Sequence, residues 1–512
     1  MITLGDIVTG VEGVELRCGD ADIEVESIHH DSRQVGPNTL FVALRGEQFD
    51  GHQFVDAAVQ AGACAVLVES DFQYDADVPV LQASDTRRIL GLVAAIFFGH
   101  PSRELTVVGI TGTNGKTSSS YLLEAVLKAA DFRSGVIGTI EYRWEDQQIA
   151  ASNTTPDGLT LQRIFRSMVD DGVEVVVVEV SSHGLANGRV EGTHFDLALF
   201  TNLSRDHVDF HGSMDEYRRA KWRLFDEFLP ASQTSDGQSP TAVINVDGDE
   251  GRKLARHLRE RDQVSTITCA VDSPEFEGSS GHFGVANLEL SLDGLTMDVC
   301  EKNGDVYTIF APLPGRFNVQ NTLGIIASAR TLGIPARNVA RGLAESDGIP
   351  GRMQRVEVEF DAPAVFVDYA HTPDALQQAL TTLRPLAKGR LWVVFGCGGD
   401  RDRTKRAPMG GVAADYADCV LVTSDNPRNE DPEQIIDEIY QGIGHHGDGD
   451  SSIRRQVDRR AAIFDAILRA APEDVILIAG KGHETYQERN GTRRDFDDRE
   501  VAARALRRRG EQ

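Results

Sequence analysis

The sequence predicts an α/β protein of three domains: a small N-terminal α/β domain, a central domain on a mostly parallel P-loop-type sheet with added antiparallel strands, and a C-terminal Rossmann-like α/β domain. Three observations predict it. A length of 512 residues corresponds to about three domains at roughly 150 residues each. Short apolar runs alternate with helical stretches along the chain, the order that a parallel sheet requires. Four of the later runs lead straight into polar motifs, as strands of an open sheet do at the ends where ligands bind.

Residues 1–100 form the first domain, with strand-like runs at 39–43 and 65–68 and a helical stretch at 54–61. The second, 101–345, opens with a buried-type strand at 105–110, a glycine turn at 112–115 and a helix at 117–130. Further strands at 173–180, 197–201 and 242–246 alternate with helices. From 287 to 310 the apolar period switches to two, with turns at Asp293-Gly294 and Asn303-Gly304, the mark of hairpins. The third domain, 346–512, places strands at 365–368, 391–396, 419–424 and 475–479, whose motifs should meet in one crevice. Residues 232–240 and 444–452 read as loops, including His445-His446.

Charge narrows the functional classes. The 52 Lys and Arg against 79 Asp and Glu leave a net charge of −27, a field that repels nucleic acids and anionic membranes at long range. No apolar run approaches the ~20 residues of a membrane span, and residues 1–10 lack a basic segment before an apolar core, so a cytoplasmic protein without membrane insertion is expected. The cysteines at 18, 64, 269, 300, 397 and 419 contain no CxxC pair and are expected to be buried small apolar residues. Lysine occurs only eight times, at 116, 128, 221, 253, 302, 388, 405 and 481, and Lys116, Lys221, Lys405 and Lys481 fall within motifs.

Gly112-Thr113-Asn114-Gly115-Lys116-Thr117 lies between a strand and a helix. In that setting backbone N–H groups cradle phosphate, Lys116 reaches the β/γ-phosphates and Thr117 can ligate Mg²⁺. The loop is a variant, because Ile110 stands where the strict pattern has its first Gly. Glu179 ends an apolar strand, where a carboxylate needs a partner or a metal ion. Asn202 and Arg205-Asp206-His207 end the next strand, offering His207 as a second ligand. Lys221 follows in the helical run 214–228; spacing leaves open whether it is a surface lysine, a phosphate contact or part of the chemistry.

Taken together these motifs resemble the Mur ligases of peptidoglycan assembly. The resemblance spans nearly the whole chain: Asp31-Ser32-Arg33, residues 112–117, Asn153-Thr154-Thr155-Pro156, 179–184, 202–211, 314–318, Gly351-Arg352, 368–373, 396–405, Asp425-Asn426-Pro427-Arg428 and 480–484. It implies ATP-dependent amide formation through an acyl phosphate, adding meso-2,6-diaminopimelate to UDP-N-acetylmuramoyl-L-alanyl-D-glutamate. It also implies a carbamylated Lys221, which with Thr117, Glu179 and His207 would hold Mg²⁺. Lys116, Glu179, His207, Lys221 and Arg352 would be catalytic. ATP would engage 112–117, Ser118, Asn318, Arg352, Asp368 and His371.

The UDP-linked substrate would meet Ser32, Glu47, Gln48, Phe49, Asn153, Thr154, Thr155, Ser181, Asn187 and Arg189. The pattern departs at His30, a Leu position in the family, and at Asn187, a Gln position. Diaminopimelate would meet Arg401, Asp425, Asn426, Pro427, Arg428, Gly480 and Glu484. Arg428 can pair with the carboxylate that lysine lacks, and Glu484 is placed to accept from the distal ammonium. Closure of the third domain is expected to complete the site, in a monomer whose partners are these small molecules. The alternatives are a lysine-adding Mur ligase or a folylpolyglutamate synthetase-like ligase, and, from other classes, a P-loop ATP hydrolase or switch and a non-catalytic binding protein. The 425–428 and 31–33 motifs argue against the sibling ligases, an amino-acid pocket against the hydrolase, and intact Lys116, Glu179, His207 and Lys221 against the binding protein.

Overall fold

The computed structural model describes residues 2–46, 49–75, 77–232, 239–272, 279–444 and 452–511. Of the loops read at 232–240 and 444–452, residues 233–238 and 445–451, with His445-His446, lie outside these residues. By contact density the chain forms two compact units, one of Met1–Val285, Val299–Tyr307 and Gln320–Gly342, the other of Ala286–Asp298, Thr308–Val319 and Leu343–Gln512.

Among the described residues the first unit holds two large sheets besides the short antiparallel pair of Ile2–Thr3 with Glu24–Val25. The N-terminal sheet has five strands in the order Val14–Cys18, Val80–Ala83, Ala63–Glu69, Thr39–Val42 and Ser27–His29, all parallel except the first. Successive side chains point to opposite faces. Leu40, Val42 and Leu67 therefore pack with Ile7, Leu90 and Val93 of the helices Leu4–Gly10 and Thr86–Phe97. Phe41, Val66 and Val68 bury the other face with Val55 and Ala58 of Val55–Gln60.

The central sheet runs Ser134–Ile137, Val175–Glu179, Thr106–Thr111, Leu197–Phe200, Thr241–Asn245 and Ser265–Ala270, all parallel. Its strands are buried almost throughout, Val175–Glu179 opening on four valines in a row, because helices cover both faces. One such helix, Gly158–Asp170, starts where the Asp157 carboxylate accepts the N–H of Thr160 and buries Leu161, Ile164, Phe165 and Met168 at helical spacing. An antiparallel hairpin, Glu141–Trp144 with Gln147–Ala150, closes one edge. At the other edge Gly281–Leu290 leads into Leu295–Glu301 and Val306–Ala311 through tight turns at 291–294 and 301–305.

The helix Met214–Arg223, capped by Ser213, continues into a π-turn, Leu224–Phe228. Leu224, Phe225 and Phe228 anchor that turn in the central core.

The second unit is a doubly wound sheet in the order Gln354–Val356, Ala364–Asp368, Val475–Ala479, Leu391–Phe395, Cys419–Val422 and Ile453–Arg455, parallel except at Gln354–Val356. Phe366, Val393, Phe395 and Leu477 face the helices Pro373–Leu383, Arg406–Tyr416 and Pro432–Ile443. Val365, Val367, Val394 and Ile478 face Arg459–Arg469 and Asp498–Gly510.

All six cysteines are unpaired, but their expected burial holds for only three, Cys269, Cys397 and Cys419. Cys64 and Cys300 are half-buried, and Cys18 is exposed because it ends an edge strand on its outward side. Among the described residues no helix is long and apolar enough to cross a membrane.

Arg459 and Asp498, both 0% exposed, form a two-pronged ion pair, Nε to Oδ1 at 2.8 Å and Nη2 to Oδ2 at 2.7 Å, while Nη2 also reaches the Ala479 carbonyl. Replacing one partner strands a buried charge. Asp498→Asn is expected to lose about 3–5 kcal/mol, read as a lower midpoint for the second unit in chemical denaturation.

Candidate active site

Strand Thr106–Thr111 delivers the glycine loop to the N-terminus of helix Lys116–Ala129. Two positions there admit only glycine. Gly112 (φ +155°) and Gly115 (φ +88°) hold left-side backbone conformations, and a Cβ would stand 1.9 Å from Thr201 Oγ1 at the first and 2.2 Å from Asn321 Oδ1 at the second. The loop is braced from the neighbouring strand end. Asn202 Oδ1 accepts the Asn114 N–H at 2.9 Å, and Thr201 Oγ1 donates to the Asn114 carbonyl at 2.7 Å. Asn202 is thus a loop brace, a role its motif did not reveal.

Two lysines converge on this loop. Lys116 Nζ donates to the carbonyls of Gly112 (2.8 Å) and Thr113 (2.9 Å), and Lys221 Nζ donates to the same Gly112 oxygen at 2.8 Å. Lys221 is 1% exposed and lies 4.7 Å over the Tyr217 ring. Burial, and then the neighbouring Lys116 charge, push its ammonium well below the usual lysine range. Asp206 opposes the shift and does not cancel it.

Glu179 is 1% exposed at the end of Val175–Glu179. It accepts from Thr117 Oγ1 (2.9 Å), Thr139 Oγ1 (2.9 Å), Thr139 N–H (3.2 Å) and Ser120 Oγ (3.3 Å). Thr139 and Ser120 were not legible as site residues, since nothing local in the sequence ties them to Glu179. Among the described residues no group of three or more His, Cys, Asp and Glu could hold a metal ion. That donor set still fits Mg²⁺, which takes one or two protein oxygens and completes its shell with phosphate and water. His207 (φ +50°) is half-exposed and joins an aromatic cluster with His183 (4.8 Å), Tyr217 (6.2 Å) and, through these, His211. Burial takes His211 down to about 4.

Thr155 links this strand end to the substrate-assigned residues. Its hydroxyl donates to the Glu179 carbonyl (2.8 Å) and lies 3.0 Å from Ser181 Oγ, and Arg189 Nη1 donates to its carbonyl at 2.8 Å. Thr154 Oγ1 lies 3.1 Å from Thr139 Oγ1, and Tyr142 OH donates to the Asn153 carbonyl at 2.7 Å. Asn187 Oδ1 accepts from Arg87 at 2.9 Å. Ser32 opens a 3₁₀ turn capped by Asp31, and Phe49 is 73% exposed. Glu47 and Gln48 lie outside the described residues.

In the second unit the four strand ends meet. Gly480 N–H donates to the Asp368 carbonyl (3.1 Å), Gly399 N–H to that of Asn426 (2.9 Å), and Asn426 Nδ2 to Glu484 Oε2 (2.8 Å). Arg428 (φ +49°) donates from Nη1 to the Gly399 carbonyl at 2.8 Å, beside the loop that carries Arg401. Asp368 accepts the Met353 N–H at 2.7 Å, and burial raises its carboxyl above the usual range. Arg352 stacks 4.9 Å over Tyr369, with a buried Nε that has no hydrogen-bond partner among the described residues. His371 Nδ1 lies 2.9 Å from the Tyr369 carbonyl, and buried Asn318 donates to the Pro314 carbonyl at 2.9 Å.

Comparison with known proteins decides what this arrangement belongs to. Family models match in succession: Mur ligase family, catalytic domain, over residues 24–109; Mur ligase middle domain over 110–329; and Mur ligase, glutamate ligase domain, over 351–482. The UDP-N-acetylmuramoyl-L-alanyl-D-glutamate--2,6-diaminopimelate ligase of Bacillus licheniformis is 41% identical over 504 residues, covering 98% of this chain and 99% of its own. The chain belongs to the Mur ligase family. The Clostridioides difficile protein of the same name is 38% identical over 503 residues, with coverage of 98% and 99%. A solved structure of a ligase of that name superposes with a TM-score of 0.72 at 32% identity, over 99% of both chains. The fold alone is shared with the MurF ligase of Thermotoga maritima in complex with ADP (TM-score 0.59, 19% identity, 96% of this chain and 98% of that one). As a Mur ligase the chain is an ATP-dependent enzyme that forms amide bonds.

The family departure at His30 has a structural partner. His30 Nε2 lies 3.6 Å from Asp157 Oδ1, the cap of Gly158–Asp170. Pairing with Asp157 raises the imidazole pKa despite burial. Burial would raise the Asp157 carboxyl, but His30 and the Thr160 hydrogen bonds hold it well below the usual range. A raised folded-state pKa contributes stability that is fully present below the ordinary value of 6.5 and fades as pH rises through the folded value. The stability advantage of the wild type over His30→Leu should be largest between about pH 5 and 6.5 and shrink at higher pH, as read by thermal midpoints across that range.

Proposed function

We propose that this Mur ligase adds meso-2,6-diaminopimelate to UDP-N-acetylmuramoyl-L-alanyl-D-glutamate in peptidoglycan synthesis, in the cytoplasm where ATP and UDP-linked precursors are found. The observation that carries this reading is the Asp425-Asn426-Pro427-Arg428 turn at the end of Cys419–Val422, with Arg428 held by both main chain and side chain. A guanidinium there pairs with a second carboxylate on the incoming amino acid, whereas a lysine side chain would leave it unpaired. The near full-length relatives bearing this activity's name support the same choice. In this reading residues 1–100 bind the UDP moiety, 101–345 ATP and 346–512 the amino acid.

The ATP γ-phosphoryl group passes to the free D-glutamyl carboxylate. The diaminopimelate amine attacks the acyl phosphate, and the tetrahedral adduct collapses to amide and phosphate. The chain contributes positioning and electrostatics. The glycine-loop N–H groups and Lys116 hold the phosphates, and Arg352, whose Nε has no partner among the described residues, neutralises charge on the transferring phosphoryl group. Asp368 suits ribose hydroxyls; Asn318 and His371 complete the nucleotide set. Ser32, Phe49, Asn153, Thr154, Thr155, Ser181, Asn187 and Arg189 orient the UDP-linked substrate. Mg²⁺ would be held by Thr117 and Glu179 and, at a second position, by His207 and Lys221, and would neutralise phosphate and carboxylate charge when bound.

Lys221 would serve there as an anion. Its depressed pKa favours the neutral amine, whose lone pair attacks CO₂, forming an N–C bond and releasing one proton to give the carbamate.

With purified protein, ATP, Mg²⁺ and the UDP-muramoyl dipeptide, diaminopimelate should give phosphate release and a product of the mass expected for the tripeptide, while L-lysine or no amine should not. Equal use of lysine would overturn the role given to Arg428. Lys221→Ala should lose at least about a thousandfold in rate, with partial recovery on adding a short carboxylic acid such as acetate; an active, acetate-indifferent variant would remove the carbamate from the mechanism.

A further inference from the structure

The turn after Val475–Ala479 carries a lysine whose charge is turned wholly inward. Lys481 is 0% exposed. Its Nζ donates to Glu484 Oε2 at 3.0 Å, to Asn426 Oδ1 at 3.3 Å and to the Tyr486 carbonyl. These three acceptors come from its own turn, from the Asp425–Arg428 turn and from the hairpin of Tyr486–Arg489 with Thr492–Asp495. The three ammonium protons thus tie together three segments, each touching the amino-acid pocket proposed above.

The network is closed around that lysine. Asn426 Oδ1 also accepts the Glu488 N–H at 2.9 Å, and Asn426 Nδ2 donates to the same Glu484 oxygen at 2.8 Å. Gln487 Nε2 donates to the Asp425 carbonyl at 2.7 Å, Arg428 N–H to that of Glu488 at 3.0 Å, and Asn490 N–H to that of Arg428 at 2.7 Å. Glu484, assigned from sequence to the ligand's ammonium, therefore already has a cationic partner. The Lys481–Glu484 pair sums to zero, which leaves Arg401, Arg428 and Asp425 to set the sign felt by an incoming side chain. Without Lys481 the pocket would gain an uncompensated carboxylate and attract a purely cationic side chain.

We propose that Lys481 is a specificity-determining positioning residue: by neutralising Glu484 and pinning it to Asn426, it makes the pocket prefer an amino acid whose distal end carries both ammonium and carboxylate over one that carries ammonium alone. This rests on the functional reading above. It assigns selectivity to a residue that touches no substrate, acting on Arg428's choice through the charge of Glu484.

The test compares kcat/KM for meso-diaminopimelate and L-lysine in the wild type, Lys481→Met and Glu484→Gln at one fixed pH. For Lys481→Met the diaminopimelate-to-lysine ratio should fall by about tenfold or more, with the KM for ATP as control. For Glu484→Gln, which leaves Lys481 uncompensated, the ratio should move the opposite way. A merely structural role would lower both amines by one factor, and equal losses, or shifts of the same sign in both variants, overturn the proposal. If Lys481→Met does not fold by circular dichroism, Lys481→Arg decides with Glu484→Gln: the ratio should survive the charge-retaining change, and its collapse overturns the assignment. A wild type that makes no amide product with diaminopimelate overturns the functional reading itself; a wild type that does, with variants whose ratio does not move, overturns the assignment of Lys481 alone.

Discussion

One carbonyl oxygen, that of Gly112, accepts from both Lys116 and Lys221. Two ammonium groups on one acceptor repel each other, and one of them is buried. The cheapest relief is for that one to give up its proton, which is the direction of its shift. Everything around this oxygen serves to hold the arrangement. Glycine at 112 allows Thr201 and Asn202 to close on the loop, Asn202 and Thr201 grip Asn114, and Tyr217 fills the space beneath Lys221. In a chain of net charge −27 the glycine loop is a local exception, a small positive site at a helix N-terminus suited to phosphate.

The two units solve the same problem in the same way. Each places valine- and isoleucine-rich strands between helical layers and collects polar residues at strand ends. In the first unit the collected groups are Glu179 and the loop that carries Lys116. In the second they are Asp368, Arg428 and the turn from Gly480. Buried polar groups there are nearly all satisfied by partners from other strands, so the sites are rigid where they are polar. Among the described residues Arg352 Nε, Arg459 Nη1 and His483 Nδ1 are exceptions, buried without a hydrogen-bond partner.

Much of this was legible in the sequence, and the division follows the range of the interaction. The glycine loop, the strand carrying Glu179, the 425–428 turn and the hairpins after 281 all announce themselves through local pattern. What local pattern could not carry was pairing over long separations. Thr139 with Glu179, His30 with Asp157 and Arg459 with Asp498 are each separated by about 40 residues or more. The edge hairpin at 141–150 lacks an Asn-Gly or Asp-Gly turn and escaped for that reason. Glu484 shows how a correct neighbourhood can still mislead: its place in the pocket was readable, but its cationic partner, three residues back in an irregular turn, was not.

The π-turn at Leu224–Phe228 lies directly behind Lys221. It inserts extra chain into the helical winding, and Phe225 and Phe228 lock the result into the core. Phase, in such an element, is as much a part of the active site as any side chain. Each residue of an α-helix advances the winding by about 100°, so removing one residue here would not merely shorten the helix. It would turn Lys221 away from Gly112 or the two phenylalanines out of the core, and this stretch therefore tolerates changes of side chain far better than changes of length.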